Sequence, residues 1–575
     1  MAAPAGPRWS WLPAQGSRSY HLLLAATGML VLGPLAGVTA AYMNFSLGFF
    51  VGGQVLAGLL GSAVTAGYGA QGKHGANYIQ TAAASVASMS GLGVLVQAMV
   101  WMGLPQPPAW QLVGYFACIG MFGVGVGMLY TPVLVDRLHL AFPSGLAVAN
   151  ILRALTDTRL LRHSVQHLGG GALAGLVTGL AAPRIGWLGR IDWSASTFGA
   201  GMVVGARIGV PAFVGGVLAW AAQPFFVRIG WLQPGDPFRK ITFLIALGMI
   251  MGAAAVDLAL ILWRAWASLR GQDAGDAPAD DPGWRRVHRG RLWLWVLAWG
   301  AATLATGHLL LGQPLFFLAL AVALVFLFAL VNGISVGVSD SNPISSAFVV
   351  SVVLMALLGL SDPGVGLMAG AVLLVSTSVA CDMQQDRSTG WRLGTPRVLQ
   401  FRYQVLGILV GAVLAVVFAR VFMAAYPVLL QDQTAMQAGQ QPAQWSSAMT
   451  YKFVGVLRSL TDDKPYQRTA ILAGVLAGFV IELLRKRLRP RAFLFDAVLL
   501  PSPYALSFGG FVNLPTSFWL GAGGVTGTLL ERRAPRRGEL PQDMSATSLF
   551  GGGLIAGDAL AALALGVAGL LATVF

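Results

Sequence analysis

Charge is what this sequence has least of. Of 575 residues only 10% are charged, against 56% hydrophobic, where soluble domains carry roughly 25% charged side chains. A water-soluble fold of this size cannot cover its surface with so few, which excludes the soluble class. Cysteine is nearly absent too: Cys118 and Cys381 are the only two, and both fall in or beside apolar runs, which excludes a disulfide framework and a cysteine-based zinc site. No GxxxxGK[ST] segment occurs and no stretch has room for an ATPase domain, so ATP-driven pumping by this chain alone is excluded. HExxH is missing, and Gly557-Asp558 lacks the preceding glycine of a GxGD protease. Lysine is confined to positions 73, 240, 452, 464 and 486.

What is present is apolar sequence of bilayer-spanning length. Runs of about 20 residues recur from end to end, predicting an all-α polytopic membrane protein with about 14–17 transmembrane helices. The first run, near 21–42, is too long for a signal segment and reads as a retained helix. The runs near 143–155 and 446–460 are too short to cross, as expected of broken or re-entrant elements beside a transport path. Those at 195–227 and 493–530 are long but interrupted by glycine and proline, and read either as one tilted helix or as a bent hairpin.

The net charge of +15 does not point to nucleic acid, because arginines gather in short gaps between apolar runs: 264–291, 387–402, 485–491 and 532–537. That is the positive-inside pattern and places these gaps, with the amino terminus, in the cytoplasm. The expected location is the cytoplasmic (inner) membrane, crossed many times.

An internal repeat organises the chain. Leu152-Arg153-Ala154-Leu155-Thr156-Asp157 returns as Leu457-Arg458-Ser459-Leu460-Thr461-Asp462. Leu173-Ala174-Gly175 returns as Leu476-Ala477-Gly478, Phe198-Gly199 as Phe508-Gly509, and Gly215-Gly216-Val217 as Gly523-Gly524-Val525. Asp257 finds its mate in Asp558. Two homologous halves are expected, 1–266 and 291–575, joined by a cytoplasmic linker at 267–290. The basic junction and an inside amino terminus favour an even number of crossings per half, hence parallel halves. Duplicated halves put the substrate path at their interface near mid-membrane.

Polar residues inside apolar runs are the candidate site. Asp257 and Asp558 must be paired, protonated or facing water, since a carboxylate at bilayer depth costs at least about 2.5–3.5 kcal/mol. A carboxyl that takes up and releases a proton there can couple transport to a proton gradient; a structural aspartate capping a broken helix is the plain alternative. The Arg207 fork suits a substrate carboxylate or one of the aspartates, with snorkelling to a headgroup as the alternative. Asn77, Gln80 and Thr81 open one apolar run, and Asn342, Ser345 and Ser346 open another, suited to substrate contact or to helix capping. Arg153/Asp157 and Arg458/Asp462 read as i, i+4 ion pairs. His163 and His167 are spaced for one helix face, but no third metal ligand is evident. Gly171, Gly175 and Gly179, like Gly474 and Gly478, are spaced for close helix packing.

Several segments together resemble the oligopeptide transporter family, which includes the yellow-stripe-like metal-chelate carriers. They are Asn77-Tyr78-Ile79-Gln80-Thr81, Phe142-Pro143-Ser144-Gly145, Asp340-Ser341-Asn342-Pro343-Ile344-Ser345, Cys381-Asp382-Met383-Gln384-Gln385-Asp386-Arg387, and Gly553-Leu554-Ile555-Ala556-Gly557-Asp558. The last usually carries Glu where this chain has Asp558. The resemblance implies proton-coupled symport of short peptides or peptide-like metal chelates, with Asp382 and Asp386 marking a cytoplasmic-side turn near the path. The expected function is therefore a secondary transporter needing no cofactor beyond the proton gradient. Its partners would be a small-molecule substrate and the bilayer, not nucleic acid, with a homodimer left open. A metal-chelate symporter, a passive channel and a polytopic lipid enzyme are the alternatives; an enzyme would need a clustered nucleophile, base or metal set, and none is evident.

Overall fold

The computed structural model describes residues 12–46, 53–140, 142–154, 158–182, 185, 191–271, 283–339, 342, 344–437, 440, 442, 445–459, 465–488, 492–533 and 545–574. Every regular element among them is helical. In chain order these are α1 (Arg18–Ser46), α2 (Gly53–Thr65), α3 (Gly72–Trp101), α4 (Ala109–Arg137), α5 (Pro143–Ala154), α6 (Thr158–Ala181), α7 (Ala195–Val204), α8 (Ala206–Ala221) and α9 (Arg239–Gly271). After the junction come α10 (Arg289–Ala305), α11 (Leu315–Ser339), α12 (Ile344–Leu357), α13 (Pro363–Leu393), α14 (Arg397–Ala425), α15 (Ala448–Ser459), α16 (Pro465–Leu488), α17 (Pro503–Phe511), α18 (Leu514–Arg533) and α19 (Ala546–Val574). Nine helices of the described chain are long and apolar enough to cross a membrane.

Polarity is distributed the opposite way from a water-soluble protein. Leu297, Leu309, Leu472 and Leu476 are each more than 60% exposed, while Asn77, Gln80, Gln384 and Gln400 are sealed inside. Outward leucines are stable only against hydrocarbon, so the fold is that of an all-α polytopic membrane protein.

Both interrupted runs are bent hairpins. α18 runs parallel to α7, with Gly523 at the Phe198 carbonyl and Gly527 at that of Met202, yet antiparallel to α8, where Gly209 faces Gly521 and Gly216 faces Ser517. The chain must therefore reverse between α7 and α8. It does so at Gly205, whose φ of +76° is a conformation few side chains tolerate. The second hairpin, α17–α18, turns at Val512-Asn513.

The segments matched by sequence pack in matched ways. α6 lies on α19 as α16 lies on α9; α7 touches α18 and α19 as α17 touches α8 and α9. Gly175 and Gly179 let α6 close onto α19, and Gly474 and Gly478 let α16 close onto α9. Matched α8 and α18 run antiparallel. A two-fold axis along the membrane normal would leave matched helices pointing the same way, so the parallel arrangement expected from charge is corrected: the matched segments are inverted. The helix α10, packed on α4, stands between the two sets and adds one crossing.

Candidate functional site

α3, α13 and α14 bring a polar cluster into the interior. Gln80 Nε2 donates to Asp386 Oδ1 at 2.8 Å, and Asn77 Nδ2 to Thr395 Oγ1 at 3.1 Å. Gln400 is the hub: its Nε2 donates to Thr81 Oγ1 at 3.0 Å and to the Asp386 carbonyl at 2.8 Å, and its Oε1 accepts from Arg387 at 2.6 Å. Arg387 also reaches Met383 Sδ at 3.0 Å. All of these side chains are at least 98% buried.

The cluster is not self-sufficient. Asp386 Oδ2, Asp382 Oδ2, Gln80 Oε1, Asn77 Oδ1 and Gln404 Nε2 are buried without a hydrogen-bond partner among the described residues. Native interiors leave few such atoms, and a concentration of them in one place is what a site for water or a polar ligand requires.

Three expectations change here. Asn77, Gln80 and Thr81 do not cap a helix, because α3 begins at Gly72; they sit in its second and third turns and face inward. Asp382 and Asp386 do not mark a turn, because α13 continues unbroken to Leu393. Nor is 387–402 a solvated basic gap: Arg387 is held in the cluster and Arg397 makes a two-pronged pair with Asp136 at 2.8 and 2.6 Å. Alternating basic and apolar residues there looked like a loop because their partners lie far away in sequence.

Asp558 stands elsewhere, 3% exposed. Its Oδ2 accepts from Tyr42 Oη at 3.2 Å and from the Ser196 amide at 3.0 Å, the latter at the start of α7. Tyr42 in turn meets Trp445 edge-on, 5.3 Å between centroids. Asp257 occupies the matched place at the start of α17, taking a hydrogen bond from Tyr504 at 2.8 Å, but its company differs. Lys486 pairs with it at 2.7 Å and with Glu482 at 3.0 Å. Arg207 opens α8 with its side chain 60% exposed and pairs with Asp496 at 2.9 Å, which Arg485 also holds at 2.8 Å. It is not part of the Asp386 cluster. Asn342 lies beside Cys381, with its Oδ1 unpartnered. The side chains of Ser345 and Ser346 lie outside the described residues, as do Asp157, Asp462 and the side chain of Arg153. Arg458 pairs with Asp432 at 2.5 Å. His163 and His167 lie with ring centres 4.1 Å apart and planes tilted by 48°, and the described residues gather no group of three His, Cys, Asp or Glu.

Sequence reading passed over Arg387, Gln400 and Gln404. Five of the six residues from Asp382 to Arg387 are polar or charged and follow directly on an apolar run, which was the available signal.

Lipid-facing leucines around a buried, under-satisfied polar cluster define a polytopic membrane protein built to pass a polar solute. The chain belongs to the OPT oligopeptide transporter protein family, whose family model matches residues 23–568. A relative from Haemophilus influenzae, named "Putative oligopeptide transporter", is 22% identical over 557 residues, covering 84% of this chain and 85% of the relative. This is a transporter of the oligopeptide type.

Proposed function

We propose that the protein is a secondary transporter of the cytoplasmic membrane, carrying short peptides or peptide-like molecules inward by proton symport. The observation that carries this reading is the set of unpartnered amide and carboxylate atoms around Asp386. An extended peptide presents alternating N–H and C=O groups, and amide side chains with both donors and acceptors free suit it without reading its side chains. Asn77, Gln80, Thr81, Asp382 and Asp386 line the path in this reading, with Asn342, Ser345 and Ser346 beyond them.

Asp558 is the proton carrier. It has no basic partner among the described residues, so its two protonation states differ by a full uncompensated charge, and its bonds to Tyr42 and to α7 tie that change to a hairpin. Asp257 and Arg207, held by Lys486 and Asp496, anchor the hairpins. The two matched sets derive from a duplication with inverted topology, as their matched packing supports. No cofactor and no catalytic step enter this reading; the partners are substrate and bilayer.

The test is uptake of a labelled tripeptide into proteoliposomes with and without an inward acid gradient. Gradient-stimulated accumulation is expected; uptake indifferent to the gradient would remove the coupling.

A further inference from the structure

Basic side chains on the described helices are generally matched. Arg397 has Asp136, Arg458 has Asp432, Lys240 has Asp236 and Lys486 has Asp257. Arg239, fully buried, is held by neutral groups: it donates to the Ser446 carbonyl at 3.1 Å and to Gln433 Oε1 at 2.8 Å, with its guanidinium 4.4 Å from the Tyr451 ring centre. Lys452 is the exception. It is 91% buried, and among the described residues its ammonium makes no hydrogen bond and no ion pair; its neighbour is the Phe511 ring, 3.7 Å from Nζ to the centroid.

The location is as telling as the isolation. α15, at 12 residues, is about 18 Å long and cannot cross a hydrocarbon core of about 30 Å. Its start is tied to the end of α1, where the Ser447 amide and hydroxyl donate to the Phe45 carbonyl at 2.9 and 3.1 Å. Phe511 is the last residue of α17, at the reversal of the second hairpin. Lys452 thus sits where a non-crossing helix meets a hairpin tip, the kind of irregular backbone found inside membranes only where protein or a water-filled path covers it. An ammonium with three donors and no acceptor is costly there unless an anion or water completes it.

We infer that Lys452 is an anion-recognition residue of the transport path, taking the carboxylate of the peptide's carboxy terminus against its ammonium while Phe511 fixes the side chain. The inference rests on the peptide reading above and extends it, giving the substrate a polarity. Its carboxylate end faces α15 and α17, and its amide backbone is left for the Asp386 cluster.

The experiment measures how triglycine and triglycine amide compete with uptake of labelled triglycine, in the unaltered protein and in Lys452→Met and Lys452→Arg. In the unaltered protein the free acid should compete at least about tenfold better than the amide, the scale of one charge-assisted hydrogen bond. Lys452→Met should erase that preference by raising the half-saturating concentration of the acid, and Lys452→Arg should keep most of it. Methionine fills the same volume without a buried charge, and equal yields of monodisperse protein check that folding is intact. Equal competition by acid and amide in the unaltered protein overturns the inference and leaves peptide transport standing. A preference that survives in Lys452→Met also overturns it. No triglycine uptake by the unaltered protein overturns the peptide reading, and the inference with it.

Discussion

Asp257 and Asp558 show how far matched positions diverge once their surroundings differ. Each accepts a hydrogen bond from the first turn of a hairpin helix, from Tyr504 Oη and from the Ser196 amide, but only Asp257 has a lysine. Asp558→Asn is therefore expected to lower gradient-driven uptake at least about tenfold, a loss of 1.4 kcal/mol or more in transition-state terms. Asp257→Asn should leave uptake within about twofold, since Lys486 keeps Glu482. Initial rates at two imposed gradients separate the two. A structural counterpart is Arg397, 5% exposed against Asp136. Arg397→Ala strands a largely buried carboxylate and should cost about 3 kcal/mol, read as a lowered melting temperature in detergent, whereas removing both partners with apolar residues should cost less. The aspartates were legible in the sequence because a lone acid in an apolar run is conspicuous. Their different roles were not, because Lys486 approaches Asp257 only after α16 has packed on α9.

At the scale of elements, glycines decide how near helices come. A methyl group on Gly478 would overlap the Met249 carbonyl, whereas one on Gly552 would meet nothing within 4 Å. Gly478→Ala should force α16 away from α9 and lose about 1–3 kcal/mol, while Gly552→Ala on α19 should leave the melting temperature unchanged. The small-residue spacing was readable along the chain, and it announced that partners exist without naming them. Helix ends were less readable. The run ending near 381 continues to Leu393, because Asp386 finds a donor on α3 and Arg387 an acceptor on α14, and a helix keeps going when its polar residues can be satisfied inside.

For the whole molecule the inverted arrangement has a direct consequence. The chain after α8 and the chain after α18 should emerge on opposite sides of the membrane, the latter in the cytoplasm with its arginines. With Cys118 and Cys381 replaced, single cysteines at Gly230 and Arg533 should react with a membrane-impermeant maleimide from opposite faces in oriented vesicles. Labelling of both from the same face would mean parallel halves. Charge alone does not set this orientation, because a single additional helix, α10, changes the parity of crossings without altering where the arginines lie.

By itself the sequence determined the class of protein and the family resemblance, since partition into lipid depends on local composition and short motifs keep their order along the chain. Only the tertiary structure decided which polar residues form one site. Asp386, Gln80 and Gln400 come together from α3, α13 and α14, and Lys452 is left alone between α15 and α17. A side chain's cost in the interior depends on the partners that distant helices bring to it, and those partners follow from packing, which no local run of residues records.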